Sequence, residues 1–311
     1  MRNTVNSRKR TILKTLSVLF VLIGVCEVNH AQAFSGAAAA KTRFAETQGR
    51  RIAYRSIGKG TPIILANRFR GTLDTWDPAF LDELARNFNV ITFDYSGYGL
   101  STGTAPTDVL TAARDVRDLA EALKLKTIVV GGWSFGGLIA QTVTTQYPNL
   151  VTHAILIGTG PPGKNKVGPE KLFFDTALKP VNDLNDEIIL FFEPQSEASV
   201  QAAKLSHDRL AKRTKDLDVP IPQELWDEYF KVGTDFSADK YNTRTKLKAT
   251  RIPLLIICGD HDISFPVENW YDLTRELPTA QLIVFAQSGH GPQHQFPEIT
   301  ARYITAFVRN M

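Results

Sequence analysis

Short apolar or β-branched runs alternate with longer amphipathic stretches along most of the chain. Residues 62–66, 90–93, 127–131 and 153–158 lack the polar alternation of a half-exposed strand, which predicts strands buried on both faces. Residues 43–47 and 51–56, separated by Gln48-Gly49-Arg50, predict a hairpin. After Pro106, Ala112, Val116, Leu119 and Leu123 recur at helical spacing, and residues 135–147 predict a second helix behind the preceding strand. Such alternation implies an α/β fold, a mostly parallel sheet with helices on both faces. Between residues 161 and 248 the strand-like runs disappear, and polar helical stretches with paired aromatics replace them. We expect a helical lid there, inserted over the sheet's carboxyl edge. Most of Phe173, Phe174, Phe191, Phe192, Trp226, Tyr229 and Phe230 should hold that insertion together, and the rest should line a pocket. Strand-like residues 253–259 and 281–285 and helical residues 268–276 and 298–309 restore the alternation. The organisation expected is thus core at 34–160, lid at 161–248 and core again at 249–311.

Composition agrees with a globular chain: of 311 residues 43% are hydrophobic and 22% charged, which excludes disordered, collagenous and coiled-coil readings. The formal charge of +4 at first suggests acidic partners. Arg2, Arg8, Lys9, Arg10 and Lys14 against Glu27 account for all of it, so the chain beyond residue 33 is neutral. That removes the basic surplus expected of a nucleic-acid or anionic-membrane binder. Residues 1–33 have the three parts of a secretory signal peptide: a basic stretch, an apolar run at 16–25 and the small-residue site Ala31-Gln32-Ala33. The run is shorter than the ~20 residues a membrane span needs. Cleavage after Ala33 and export, to the periplasm or medium, are expected. The mature chain would keep a single cysteine, Cys258, so no internal disulfide can form and packing must supply the stability.

The candidate chemistry begins at Gly132-Trp133-Ser134-Phe135-Gly136, directly after one expected strand and directly before a helix. A sharp strand-to-helix turn would expose the Ser134 hydroxyl, and the helix start would offer the Phe135 amide to a developing oxyanion. Serine is a weak nucleophile near neutral pH, so it needs a base and a group to orient that base. His290 in Gln287-Ser288-Gly289-His290-Gly291 follows the last strand, and Cys258-Gly259-Asp260-His261-Asp262 follows the one before. Either carboxylate in that second loop could accept from the imidazole. His261 and His294 are expected to be solvated or structural.

The order Ser, acid, His resembles the α/β-hydrolase family over roughly residues 43–309, as does Asp94-Tyr95-Ser96-Gly97-Tyr98-Gly99-Leu100-Ser101, similar to the family's Asp-X-X-Gly-X-Gly-X-Ser turn. By the similarity of its Gly-X-X-Asp spacing the acid is Asp262, with Asp260 as the alternative. The resemblance also places Phe69 as the second oxyanion donor, although Asn67-Arg68 stands where many relatives carry His-Gly. Arg68 and Trp133 are candidate substrate contacts. Arg68 or Arg70 turned inward would favour an acidic substrate, but a loop arginine is more often exposed. What the resemblance implies is a serine hydrolase cleaving a carboxylic ester or lactone of a small-molecule acyl substrate through an acyl-enzyme, with no cofactor and no metal. The other readings are a cofactor-free haloperoxidase-like enzyme or perhydrolase, a C–C bond hydrolase, and a ligand-binding sensor on the same scaffold.

Overall fold

The computed structural model describes residues 36–311 together with Met1. The expected signal at 1–33 lies outside the described residues. The β-branched and apolar runs form β1 (Arg43–Thr47), β2 (Arg50–Gly58), β3 (Thr61–Ala66), β4 (Phe88–Phe93), β5 (Ile128–Trp133), β6 (Val151–Ile157), β7 (Leu254–Gly259) and β8 (Ala280–Phe285). They join in one 8-stranded sheet of order β1-β2-β4-β3-β5-β6-β7-β8. Only the β1/β2 and β2/β4 pairings are antiparallel. The hairpin turn is tighter than expected: Gln48 and Gly49 have φ of 46° and 75°, and Arg50 already pairs with Thr47. Two successive positive-φ residues match the right-handed twist of the flanking strands, which a type I or II turn of the same length would not.

The helices are α1 (Pro78–Ala85), α2 (Val109–Ala122), α3 (Phe135–Gln146), α4 (Lys171–Ala177), α5 (Leu184–Phe191), α6 (Glu197–Leu210), α7 (Trp226–Ser237), α8 (Thr243–Ala249), α9 (Glu268–Thr274), α10 (Pro292–Gln295) and α11 (Pro297–Asn310). Local chemistry starts several of them. Asp77 caps α1 by accepting from the Ala79 amide with Pro78 in the first turn, and Asp108 caps α2 through the Leu110 and Thr111 amides.

Strand side chains alternate between two apolar layers, as a period of two requires. Ile63, Leu65, Val129, Ile155 and Ile257 pack with Phe80, Leu84, Ile304 and Phe307 of α1 and α11. Ile64, Val130, Leu156 and Ile256 pack with Val116, Leu119, Ile139 and Val143 of α2 and α3. Each such side chain contributes about 1.5–3 kcal/mol by leaving water, so the two-sided core dominates the stability.

Only helices, α4 to α8, lie between β6 and β7. Trp226, Tyr229, Val232 and Phe236 of α7 join the layer of α2 and α3, while Ile188, Phe192 and Ala203 form a separate small cluster around α5 and α6. Polar ties fix this segment to the core. Arg209 of α6 pairs with buried Asp77 at 2.6 Å, and the Leu73 amide donates to Asp218 at 2.7 Å.

Candidate active site

Ser134 occupies the junction of β5 and α3 with φ 59° and ψ −120°, a conformation an L-residue adopts only under local strain. The turn is possible because of its flanking glycines. A Cβ at Gly132 would come within 2.0 Å of the Gly136 carbonyl oxygen, and one at Gly136 within 2.0 Å of the Ala66 carbonyl oxygen. This close approach sets the junction against the end of β3, where the loop carrying Phe69 begins. The Ser134 amide donates to Ile157 O at 2.9 Å, which ties the junction to β6 as well.

His290 and Asp262 leave the carboxyl ends of β8 and β7. His290 Nδ1 lies 2.8 Å from Asp262 Oδ2, and both side chains are buried. The other carboxylate oxygen of Asp262 accepts from the Ser264 and Phe265 amides at 2.8 Å each. Those two bonds fix the carboxylate so that its second oxygen faces the imidazole. A proton held on Nδ1 by that carboxylate leaves Nε2 as the acceptor. Asp260, the alternative acid, lies instead 2.6 Å from exposed His261 and accepts from the Ser288 amide. His294 is buried beside Ser206, with its ring nitrogen 3.0 Å from the hydroxyl, and burial pulls its pKa down to about 4.

His290 sits between aromatic faces. The Phe265 and Phe191 rings stack on it with centroids 5.7 and 6.3 Å away, and the Phe173 ring meets it edge-on at 6.2 Å. Phe265 is a site residue that sequence reasoning missed. Its place three residues after Asp262 is the only signal that could have found it. No hydrogen bond joins His290 to Ser134 among the described residues, but both side chains border one small cavity of about 20 Å³ together with Phe69, Arg68 and Arg70. A second cavity of about 690 Å³ also borders Ser134, lined by Phe135, Leu138, Phe173, Tyr229, Phe230 and Phe265 among others.

Phe69 borders both cavities, and its ring packs edge-on against Tyr229 with centroids 5.1 Å apart. Its loop is anchored through Asn67, which donates to Phe93 O at 2.8 Å and accepts from the Tyr95 hydroxyl at 3.1 Å. Phe135 lies on the wall of the larger cavity, at the first position of α3.

Two expectations change. Arg68 and Arg70 are only partly exposed: the Arg68 guanidinium lies over the Phe191 and Trp133 rings at 4.7 and 5.3 Å, and that of Arg70 over Trp226 at 3.9 Å. Apolar surface on the inserted helices is available to cover both. Trp133, expected as a substrate contact, borders neither cavity at Ser134; it is buried and its indole Nε1 donates to His290 O at 2.7 Å. An indole N–H inside a core needs an acceptor, and the histidine loop supplies it. Trp133 therefore positions that loop.

Among the described residues no group of three or more His, Cys, Asp or Glu side chains could hold a metal ion, and no helix is long and apolar enough to cross a membrane.

Comparison with known proteins adds to this geometry. Residues 61–297 match the family described as the alpha/beta hydrolase fold. A solved alpha/beta hydrolase fold protein from Chitinophaga pinensis is 29% identical, with a TM-score of 0.79 over 89% of this chain and 100% of that one. The pimeloyl-[acyl-carrier protein] methyl ester esterase of Vibrio campbellii is 26% identical over 242 residues, which span 77% of this chain and 91% of that protein. A proline iminopeptidase of Pestalotiopsis fici is 26% identical over 282 residues, 85% of this chain and 98% of that protein.

Proposed function

Since the chain belongs to the alpha/beta hydrolase family, we propose that it is a serine hydrolase that cleaves a carboxylic ester or lactone through an acyl-enzyme, with Ser134, His290 and Asp262 as nucleophile, base and orienting acid. The observation that carries this reading is the buried His290–Asp262 pair, 2.8 Å apart, whose imidazole borders the cavity that Ser134 also borders. His290 Nε2 takes the Ser134 proton as Oγ attacks the carbonyl carbon. The Phe69 and Phe135 amides receive the oxyanion, a contribution of about 3 kcal/mol per donor. Asp262 holds the imidazole in orientation and stabilises its protonated form. Collapse expels the alcohol, protonated by His290, and water activated by the same imidazole then releases the acid.

The larger cavity supports a medium-sized apolar group on the substrate. Its volume of about 690 Å³ falls within the range of ligand pockets, and phenylalanine is the commonest residue in its lining, at positions 69, 135, 173, 174, 230, 236 and 265. Residues bordering the two cavities include Lys164, Arg68 and Arg70 but no Asp or Glu. A substrate with a free α-ammonium group would find no counter-charge there, which favours an ester over a peptide with an open amino terminus. In this reading the helices of residues 161–248 form the lid over the site, and the segment 1–33 directs export of the protein.

Active-site labelling tests the assignment. A fluorophosphonate should form one adduct, at Ser134, and Ser134→Ala should lose both the adduct and turnover of short acyl esters while its circular dichroism stays unchanged. Undiminished turnover in that variant would refute the nucleophile.

A further inference from the structure

Arg68 is a cation with no acid beside it. Four other partly or wholly buried arginines are matched by carboxylates, Arg50 by Asp115 and Asp118, Arg55 by Asp74, Arg209 by Asp77 and Arg213 by Asp74, and the guanidinium of Arg244 donates to the Pro162 carbonyl. Arg70, on the same loop, is capped by the Ala177, Lys179 and Pro180 carbonyls and by Asn182. Arg68 makes one hydrogen bond, from Nη1 to Phe69 O at 2.7 Å, and its buried Nε has no partner. Glu187 adds some favourable field, but its carboxylate is engaged with His207 at 2.9 Å. Burial, helped by the nearby charge of Arg70, pulls the Arg68 pKa down to about 10, so the guanidinium still carries its proton at neutral pH.

A guanidinium left without an anion in a desolvated place is costly unless something else brings the charge. Two aromatic faces hold it in place, as the planar fork allows. The cavity it borders also exposes Ser134 and His290 and measures about 20 Å³, space for one or two water-sized groups. A carboxylate suits that space and that fork.

We propose that the small cavity is an anionic subsite, in which Arg68 receives a carboxylate of the substrate a few bonds from the scissile carbonyl while the apolar part fills the larger cavity. The substrate class is then the half-ester of a short dicarboxylic acid with an apolar alcohol. This rests on the serine-hydrolase reading above and adds Arg68 as a specificity-determining residue.

The test pairs two esters that differ in one terminal group, monobenzyl glutarate and benzyl pentanoate. Wild-type kcat/KM should favour the glutarate by about tenfold or more, the size expected of one charge-assisted contact. Arg68→Met should lower that ratio at least tenfold, and Arg68→Lys should keep part of the preference. A folded Arg68→Met with an unchanged ratio overturns the subsite. Should that variant not fold, the wild-type protein decides the matter: pentanoate should protect Ser134 from a fluorophosphonate at about tenfold lower concentration than pentanamide, and equal protection overturns the proposal. Absence of both labelling and hydrolysis in the wild type would instead remove the serine-hydrolase reading, and the subsite with it, whereas equal turnover of the two esters removes the subsite alone.

Discussion

At the carboxyl edge of the sheet, Ser134, Asp262 and His290 stand on short loops pinned by hydrogen bonds to backbone carbonyls: Ser134 N to Ile157 O, His261 N to Ser288 O and the Trp133 indole Nε1 to His290 O. In residues 161–248 the support is different. Val167, Leu172, Phe174, Leu178, Val181 and Phe230 remain exposed there, while the strand side chains at the centre of the sheet are wholly buried. Position at the edge is set by a saturated core that tolerates little change. The inserted helices instead supply the walls of the larger cavity through side chains that are only partly committed to packing. The comparison implies that changes at the edge act on the rate of the chemical step, and changes in the insertion on which substrate is taken.

The largest expected effect separates the two acids of one loop. Asp262→Asn should reduce kcat by about 10⁴-fold, because the amide no longer holds the correct imidazole tautomer. Asp260→Asn, which loses the charged pair with exposed His261 but keeps an amide oxygen able to accept from the Ser288 amide, should stay within about threefold. Steady-state kinetics on both variants would break the comparison if the two losses were alike.

Next comes the seam between the regions, where His294 meets Ser206 of α6. Its pKa of about 4 when folded lies below the ordinary value of 6.5, so the folded state binds fewer protons between those values. Stability contributed by the neutral ring is therefore complete above pH 6.5 and is lost as pH falls toward 4, a change of about 3 kcal/mol. Urea unfolding at pH 7 and pH 4.5 should show a shallower fall in His294→Gln than in the wild type. Parallel falls would place the pH sensitivity elsewhere.

The smallest effect belongs to the insertion. Phe230→Ala should lower kcat/KM for a hexyl-chain ester about tenfold more than for an acetate, in proportion to apolar surface lost from the cavity wall. A chain-length series of esters measures this, and a uniform loss across the series would mean that the wall bears on the chemistry itself.

Much of the fold was legible because its signals are local. Apolar runs bounded by turn residues marked every parallel strand to within about two residues, and the Gly132-Trp133-Ser134-Phe135-Gly136 spacing marked the strained junction, since backbone sterics at a turn act over a few neighbours. The absence of strand-like runs likewise announced the helical insertion. The two-residue hairpin turn lay at the edge of that resolution, because its register depends on φ signs that Gln48-Gly49 permits but does not require.

Tertiary structure decided the rest. Whether Asp260 or Asp262 faces His290 depends on two amides that clamp Asp262, and sequence proximity could not distinguish them without an appeal to relatives. Arg68 folds inward because Phe191, more than a hundred residues away, offers it a face, and Trp133 turns from the cavity because its indole finds a carbonyl 157 positions along the chain. Propensity and periodicity are set by near neighbours and so are written in the sequence. The direction of a side chain is set by whichever distant groups satisfy its hydrogen bonds and cover its surface, and folding alone brings those together.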